Sequence, residues 1–559
     1  MSTTDHTKPA PTNSGTGLPP VTPLLSVKNL AVSYRRGTIP AVNDVSFDLM
    51  PGEVVAIVGE SGSGKSTTAL SIMGLLPAGA RIDAGTISFA GREIQNLSED
   101  AMRNLRGVSI GLVPQDPTVS LDPTQRVGAQ IAEALVIHGK ATRRSALEQA
   151  VEILAEAGVD DPQRRATQYP HEFSGGMRQR VLIGIAWACR PRLIIADEPT
   201  SALDVTVQKQ VLDRLDLLTH ESNTAIVLVT HDLGVAAERA QHIVVMSRGR
   251  VVETGRSRDV LENPQHKYTQ KLVASMPSQR ALRSIERLHT VRPADERPLV
   301  EVKNLVKEFS THDSAGKPIR FRAVGGVNFD VFRGETLSIV GESGSGKSTT
   351  ARMVMCLESP TSGEVHFDGV DTGGLKSAEL RRLRKRFQII HQNPYNSLSP
   401  RFTLFDIIEE PLRAFKVGRK ERRARASELL DQVGLASSYG TRTAAELSGG
   451  QRQRIAIARA LALRPDLVVC DEPVSALDVT VQAQVLDLLA DLQTQLGLSY
   501  LFISHDLTVV RAISDRIAVM RKGEIVEIGD AEDVFERPQH EYTQRLLSAV
   551  PGFEREFTA

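Results

Sequence analysis

The sequence predicts an α/β protein made of two copies of one domain, each with a mainly parallel central sheet. Three observations predict it. A nine-residue glycine-rich string occurs twice, letter for letter, at Gly59–Thr67 and Gly341–Thr349. In each half a short apolar run leads straight into that string. Further apolar runs downstream alternate with helical patterns. The 559 residues leave room for two to four domains and ample core.

Taken in order, Met1 to Pro23 is rich in Ser, Thr, Pro and Gly, which predicts a disordered tail without a secretory signal. Alternating strands open each half, at Leu24–Val32 with Val42–Leu49 and at Leu299–Val306 with Val324–Val331. Buried strands follow at Val54–Val58 and Thr336–Val340, each running into the glycine string and then a helix. Later strands are expected at Leu193–Ala196 and Ala225–Val229, and at Leu467–Cys470 and Tyr500–Ile503. The first domain is placed at 24–277, a charged linker at 278–297, the second domain at 298–554 and a tail at 555–559. Twenty extended residues reach at most about 70 Å, enough to cross a domain face.

The repeat extends beyond the glycine strings. Asp197-Glu198-Pro199 recurs as Asp471-Glu472-Pro473, Ser201–Asp204 as Ser475–Asp478, and His231-Asp232-Leu233 as His505-Asp506-Leu507. Ser174 precedes Asp197 by 23 residues and Ser448 precedes Asp471 by 23; each Asp precedes its His by 34. Only the upstream stretch differs, 109 residues from Lys65 to Ser174 against 101 from Lys347 to Ser448. Such length changes fall in loops of an accessory subdomain.

Composition excludes several classes. Lys plus Arg and Asp plus Glu both number 67, which argues against a nucleic-acid binder. The basic run at Arg381, Arg382, Arg384, Lys385 and Arg386 reads as a solvated helix face. Hydrophobic residues at 41% and charged ones at 24% indicate a globular chain. Cys189, Cys356 and Cys470 are too scattered for a disulfide framework or a metal site and read as small core residues. No stretch reaches the roughly 18 apolar residues of a membrane span. The longest apolar run, Val181–Cys189, reads as a buried helix.

Gly-x-x-x-x-Gly-Lys-Ser between a strand and a helix is the P-loop pattern. Its residues are Gly59, Glu60, Ser61, Gly62, Ser63, Gly64, Lys65, Ser66 and Thr67, and again Gly341, Glu342, Ser343, Gly344, Ser345, Gly346, Lys347, Ser348 and Thr349. Glycines let backbone N–H groups converge on an anion, and the helix that follows directs its positive end there. Lys65 and Lys347 supply a point charge for the phosphates of ATP, and Ser66 and Ser348 a hydroxyl for Mg2+. Asp197 and Asp471, at the ends of apolar strands, are candidates to hold Mg2+ directly or through water. Glu198 and Glu472, next in sequence, are candidates to polarise the attacking water.

Ser174-Gly175-Gly176-Met177 and Ser448-Gly449-Gly450-Gln451 resemble the signature sequence of ABC ATPases. With the P-loops, Asp-Glu pairs and late histidines, the resemblance covers nearly the whole chain. It implies two ABC-type P-loop NTPase domains, each with an antiparallel β subdomain and a helical subdomain beside the core sheet. It also implies composite sites: the first P-loop with Ser448, Gly449 and Gly450, and the second with Ser174, Gly175 and Gly176. By the same match, Tyr34 and Phe309 would stack on adenine. Gln115 and Gln392 would sense Mg2+ and touch a membrane partner. His231 and His505 would reach the γ-phosphate, making them catalytic together with Glu198 and Glu472. Asp204 and Asp478 would cross the interface.

The endings Asn263-Pro-Gln-His-Lys-Tyr-Thr-Gln-Lys-Leu272 and Arg537-Pro-Gln-His-Glu-Tyr-Thr-Gln-Arg-Leu546 resemble those of oligopeptide, dipeptide and nickel importer ATPases, as do the proline-rich loops after Gln115 and Gln392. That group implies two transmembrane permease subunits, an extracytoplasmic solute-binding protein, and a peripheral place on the cytoplasmic face of the membrane. Fusion of both cassettes resembles some glutathione and peptide importers. With no cysteine after Cys470, no iron–sulfur cluster is expected at the ending. Tandem cassettes also occur in ribosome-associated translation factors, the alternative reading. Those carry a long basic helical linker, and DNA-repair relatives carry coiled coils or zinc cysteines; neither feature is visible here.

Overall fold

The computed structural model describes residues 22–35, 39–201, 203–274, 297–312, 318–393, 397–475 and 477–550. The expected N-terminal tail up to residue 21, the linker up to residue 296 and the C-terminal tail lie outside the described residues.

Among the described residues each half contains two sheets. In the first, the strands are β1 Leu25–Tyr34, β2 Ile39–Leu49, β3 Val54–Val58, β4 Ala80–Phe89, β5 Arg92–Glu93, β6 Ile110–Val113, β7 Leu193–Asp197, β8 Ala225–Thr230, β9 His242–Ser247 and β10 Arg250–Arg256. The outer sheet has the order β2-β1-β4-β5 and is antiparallel. The core sheet has the order β10-β9-β3-β8-β7-β6 and is parallel except for β10.

The second half repeats this with β11 Val300–His312, β12 Pro318–Val331, β13 Thr336–Val340, β14 Ser362–Phe367, β15 Val370–Asp371, β16 Phe387–Ile390, β17 Leu467–Asp471, β18 Ser499–Ser504, β19 Arg516–Arg521 and β20 Glu524–Asp530. Its sheets have the orders β12-β11-β14-β15 and β16-β17-β18-β13-β19-β20. The parallel strands β3 and β13 are buried along their whole length. Burial on both faces is why they read as continuous apolar runs rather than alternating ones.

Burial of apolar side chains joins these layers. Val27, Ile57, Ile72, Ile87, Val227 and Met246 share one cluster between the outer and core sheets. A separate cluster, with Val127, Ile131, Ile153, Leu154 and Leu182, holds the helices Val127–Ile137, Arg143–Glu156 and Gly175–Trp187 as a helical subdomain. The expected buried helix at 181–189 is the C-terminal part of the third of these, with Val181, Ile183 and Trp187 in the core. Leu404–Ala414, Arg419–Gln432 and Gly449–Leu461 play the same part in the second half.

The eight-residue difference between the halves is distributed over both subdomains. Gly85 packs on the Asn29 carbonyl and Gly363 on the Asn304 carbonyl, which marks them as equivalent. Lys65 precedes Gly85 by 20 residues, whereas Lys347 precedes Gly363 by 16, so half of the extra length extends β4 along β1.

The basic run is a solvated helix face only in part. Its helix ends at Leu383. Arg381 and Lys385 cover the Phe415 ring, and Arg386 pairs with Asp466 and Asp368. An aromatic face and two carboxylates within reach take up charges that the sequence alone leaves to water. Cys470 is buried in β17, and Cys189 and Cys356 are half-buried thiols. Among the described residues no helix is long and apolar enough to cross a membrane.

Candidate nucleotide sites

The sheet order creates the site. Four parallel strands, β6-β7-β8-β3, end side by side, and a predicted motif residue lies at or within two residues of each end. Gln115 lies two residues past β6, Asp197 ends β7 with Glu198 next, His231 follows β8, and Gly59 follows β3. Gln392, Asp471, Glu472, His505 and Gly341 do the same on β16, β17, β18 and β13. The carboxyl edge of an open parallel sheet is where such folds bind ligands.

Gly59 and Gly341 leave no room for a Cβ: one would collide with the Met246 carbonyl in the first half and the Met520 carbonyl in the second. The loop therefore lies tight on the neighbouring strand end. Ser61 and Gly62, like Ser343 and Gly344, form its exposed tip, while Ser63 and Ser345 are buried. Gly64 and Gly346 cap the helices that begin at Lys65 and Lys347.

The Lys65 ammonium donates to the carbonyls of Gly59 (2.7 Å) and Glu60 (3.0 Å), and Lys347 to those of Gly341 (2.7 Å) and Glu342 (2.8 Å). Burial pushes both lysines below their ordinary pKa, against the pull of Glu198 and Asp197 or of Glu472, Asp204 and Asp471. Ser66 donates to Asp197 at 3.1 Å and Ser348 to Asp471 at 3.0 Å. Burial raises both aspartates, opposed by those hydroxyls.

Glu198 joins two other strand ends. Gln115 Nε2 donates to its Oε2 at 2.8 Å, and His231 Nδ1 lies 3.3 Å from its Oε1. For Gln392, Glu472 and His505 the distances are 2.7 and 3.0 Å. Burial pushes the glutamates up, but the histidines and then the P-loop lysines outweigh it and hold both below the usual range. Both glutamates have left-handed backbones, φ 46° and 48°, an uncommon state for a residue with a side chain. From that backbone each carboxylate reaches its Gln and His.

Ser174 and Ser448 are the N-caps of the helices Gly175–Trp187 and Gly449–Leu461, each accepting an N–H three residues on at 3.3 Å. Gly176 and Gly450 sit so close to Val207 and Val481 that a Cβ would clash. Each signature helix is therefore pressed onto the helix that its own domain's Asp204 or Asp478 caps. Those aspartates reach the other domain: Asp204 Oδ2 accepts the Ser343 N–H at 3.3 Å, and Asp478 contributes to the field at Lys65. A cavity of about 170 Å³ between the domains touches Glu198, His231 and Asp232 on one side and Glu472, His505 and Asp506 on the other.

The two predicted adenine aromatics differ. The Tyr34 hydroxyl lies 3.3 Å from Thr67 Oγ1, against its P-loop. Phe309 is 39% exposed under the Lys307 ammonium, with Phe321 as its cross-strand partner. Phe309 has no hydroxyl with which to repeat that contact at Thr349.

Residues outside the predicted site also reach it. The Tyr268 hydroxyl accepts the Glu60 N–H at 3.0 Å and Tyr542 that of Glu342 at 3.2 Å. Their signal was in the sequence, as the Tyr of the two Pro-x-His-x-Tyr-Thr endings. A reach over some two hundred residues is not readable from spacing.

Two family models match. The "ABC transporter" model matches residues 42–201 and 324–475, and the "Oligopeptide/dipeptide transporter, C-terminal region" model matches 252–300 and 526–558. The chain is 44% identical to the glutathione import ATP-binding protein GsiA of Escherichia coli O6:H1, over 95% of this chain and 90% of that one. It is 43% identical to the oligopeptide transport ATP-binding protein OppD of Mycobacterium tuberculosis, over 95% and 99%. Among solved structures, the dimeric bacterial ABC transporter cassette MJ0796 aligns at 34% identity and a TM-score of 0.38, covering 42% of this chain and 98% of that one. On the matched models and on relatives covering nearly its full length, the chain belongs to the ABC transporter ATP-binding proteins, in their oligopeptide/dipeptide branch, and is an ATPase with two cassettes in one polypeptide.

Proposed function

We propose that this chain drives import of di- or oligopeptides or related small solutes, closing its two cassettes around two ATP molecules. The names of the relatives, glutathione import and oligopeptide transport, support transport rather than ribosome binding. The observation that carries the closure is the contact of Asp204 with the opposite P-loop at Ser343. Because each signature helix is pressed against the segment that reaches across, Ser174, Gly175 and Gly176 would complete the site of Lys347. Ser448, Gly449 and Gly450 would complete that of Lys65. Fusion keeps the second cassette at high effective concentration.

Within each site the residues divide the work. Lys65 and Lys347 bind the phosphates, and Tyr34 and Phe309 offer aromatic faces for adenine. Ser66 with Asp197, and Ser348 with Asp471, present paired oxygen atoms, the donor chemistry that Mg2+ takes. These residues would hold the ion, with Gln115 and Gln392 beside them; the ion would neutralise charge on the phosphates. Glu198 and Glu472 would orient and polarise water, and His231 and His505 would hold those carboxylates toward the γ-phosphate.

Gln115 and Gln392 link this centre to the exposed loops after β6 and β16, where two membrane permease subunits would be gripped. The chain would then be peripheral at the cytoplasmic face, with an extracytoplasmic binding protein delivering solute. Reconstitution with the permeases tests this. ATP-dependent uptake of labelled peptide that vanishes in the Glu198→Gln/Glu472→Gln variant is expected. Uptake that persists in that variant, or does not need this chain, contradicts it.

A further inference from the structure

The helices Lys267–Ala274 and Glu541–Ser548 send one side chain each back to the nucleotide loops. The amide of Glu342 donates to Tyr542, and the carbonyl of Glu342 accepts from Lys347. Glu60 stands in the same way between Tyr268 and Lys65. One residue of each P-loop is thus gripped on its amide side by a phenol and on its carbonyl side by the phosphate-binding lysine. In the second cassette the next amide, Ser343, is held by Asp204 of the opposite cassette. Two consecutive N–H groups of one P-loop are therefore fixed by its own C-terminal helix and by the other domain.

The tyrosines are themselves held firmly. Glu253 accepts the N–H groups of Gln265 and His266 at 2.8 and 3.0 Å, and His266 Nδ1 accepts that of Tyr268 at 3.1 Å. Glu527, His540 and Tyr542 repeat the arrangement. Thr269 and Thr543, next in sequence, are buried. The Tyr542 helix also reaches the interface: Val205, adjacent to Asp204, packs on the cluster containing Tyr542, Leu546 and Val550.

We propose that Tyr268 and Tyr542 are positioning residues for ATP binding, fixing through their hydroxyls the P-loop arm on which Lys65 and Lys347 rest and tying that arm to the cassette interface. This rests on the reading of both loops as ATP sites. The ending of each cassette then serves the nucleotide site as well as capping the fold. Burial, with nearby carboxylates that include the opposite cassette's Asp478 or Asp204, pushes both phenols up to about 12, so the hydroxyl stays neutral.

The test uses the full chain with Tyr268→Phe, Tyr542→Phe and both together, each keeping the ring and losing only the oxygen. Steady-state hydrolysis of Mg-ATP and thermal unfolding with and without nucleotide are measured. Loss of one such hydrogen bond predicts an ATP KM raised about five-fold in the double variant, with kcat changed less than about two-fold. The rise in Tm that ATP gives should shrink by more than the nucleotide-free Tm falls. Unchanged KM and unchanged ATP-induced Tm shift overturn the proposal. So does a fall in nucleotide-free Tm with KM unmoved, which marks a packing role only. A parent chain that neither hydrolyses ATP nor gains stability from it overturns the ATP-site reading and the proposal with it.

Discussion

The two cassettes carry the same reactive centre inside different rims. Lysine, serine, aspartate, glutamate, glutamine and histidine meet at matching distances in both, and both glutamates carry the same left-handed backbone. At the rim the match ends. Tyr34 is tied to Thr67, whereas Phe309 stands exposed under Lys307. Gln451 folds back to accept the Ser448 N–H at 3.1 Å and completes a capping box, which Met177 lacks the oxygen to form at Ser174. In the composite sites proposed above, Phe309 and Met177 would both belong to the site of Lys347. The difference teaches that the groups proposed to handle phosphate are the same in both halves, while those proposed to handle adenine or stiffen a helix end differ. Equal turnover chemistry with unequal nucleotide binding is the expected outcome.

The largest effect should fall on the shared centre. Removing both carboxylates proposed to polarise water, in Glu198→Gln/Glu472→Gln, should lower ATP turnover about 100-fold. The single variants should agree with each other within about two-fold; one fully active single variant would break the equivalence. Next comes the interface. Asp204→Ala removes a carboxylate that accepts a backbone amide of the other domain, and should weaken ATP-driven closure about ten-fold, read as the ATP concentration at half-maximal turnover.

A smaller effect sharpens the rim comparison. Tyr34→Phe makes the first site resemble the second and should weaken its nucleotide affinity about three-fold, measured by calorimetry. Phe309→Leu should weaken the other site. The smallest effect concerns the capping box. Met177→Gln should stabilise the chain by about 0.5 kcal/mol and Gln451→Met destabilise it equally, read from denaturant midpoints.

Much of this was legible in the sequence because the site is built from strand ends. A strand that reads as an apolar run, as at Val54–Val58 or Leu467–Cys470, fixes where the next residue emerges. The order of the strands then sets Gln115, Glu198, His231 and Gly59 in one row. Spacing between repeats carried the same information in a second form. What was not legible depends on long-range contact. No pattern reveals that Tyr268 touches Glu60 or that Phe415 covers Arg381 and Lys385. Those outcomes depend on packing geometry, to which sequence spacing is blind.

The central claim is that each nucleotide is enclosed by both cassettes. An experimental structure of the Glu198→Gln/Glu472→Gln variant with Mg-ATP tests it most directly. The account predicts Lys65 and Ser448 on one nucleotide, and Lys347 and Ser174 on the other. A structure in which each ATP is held by a single cassette, with the signature serines facing solvent, would contradict it.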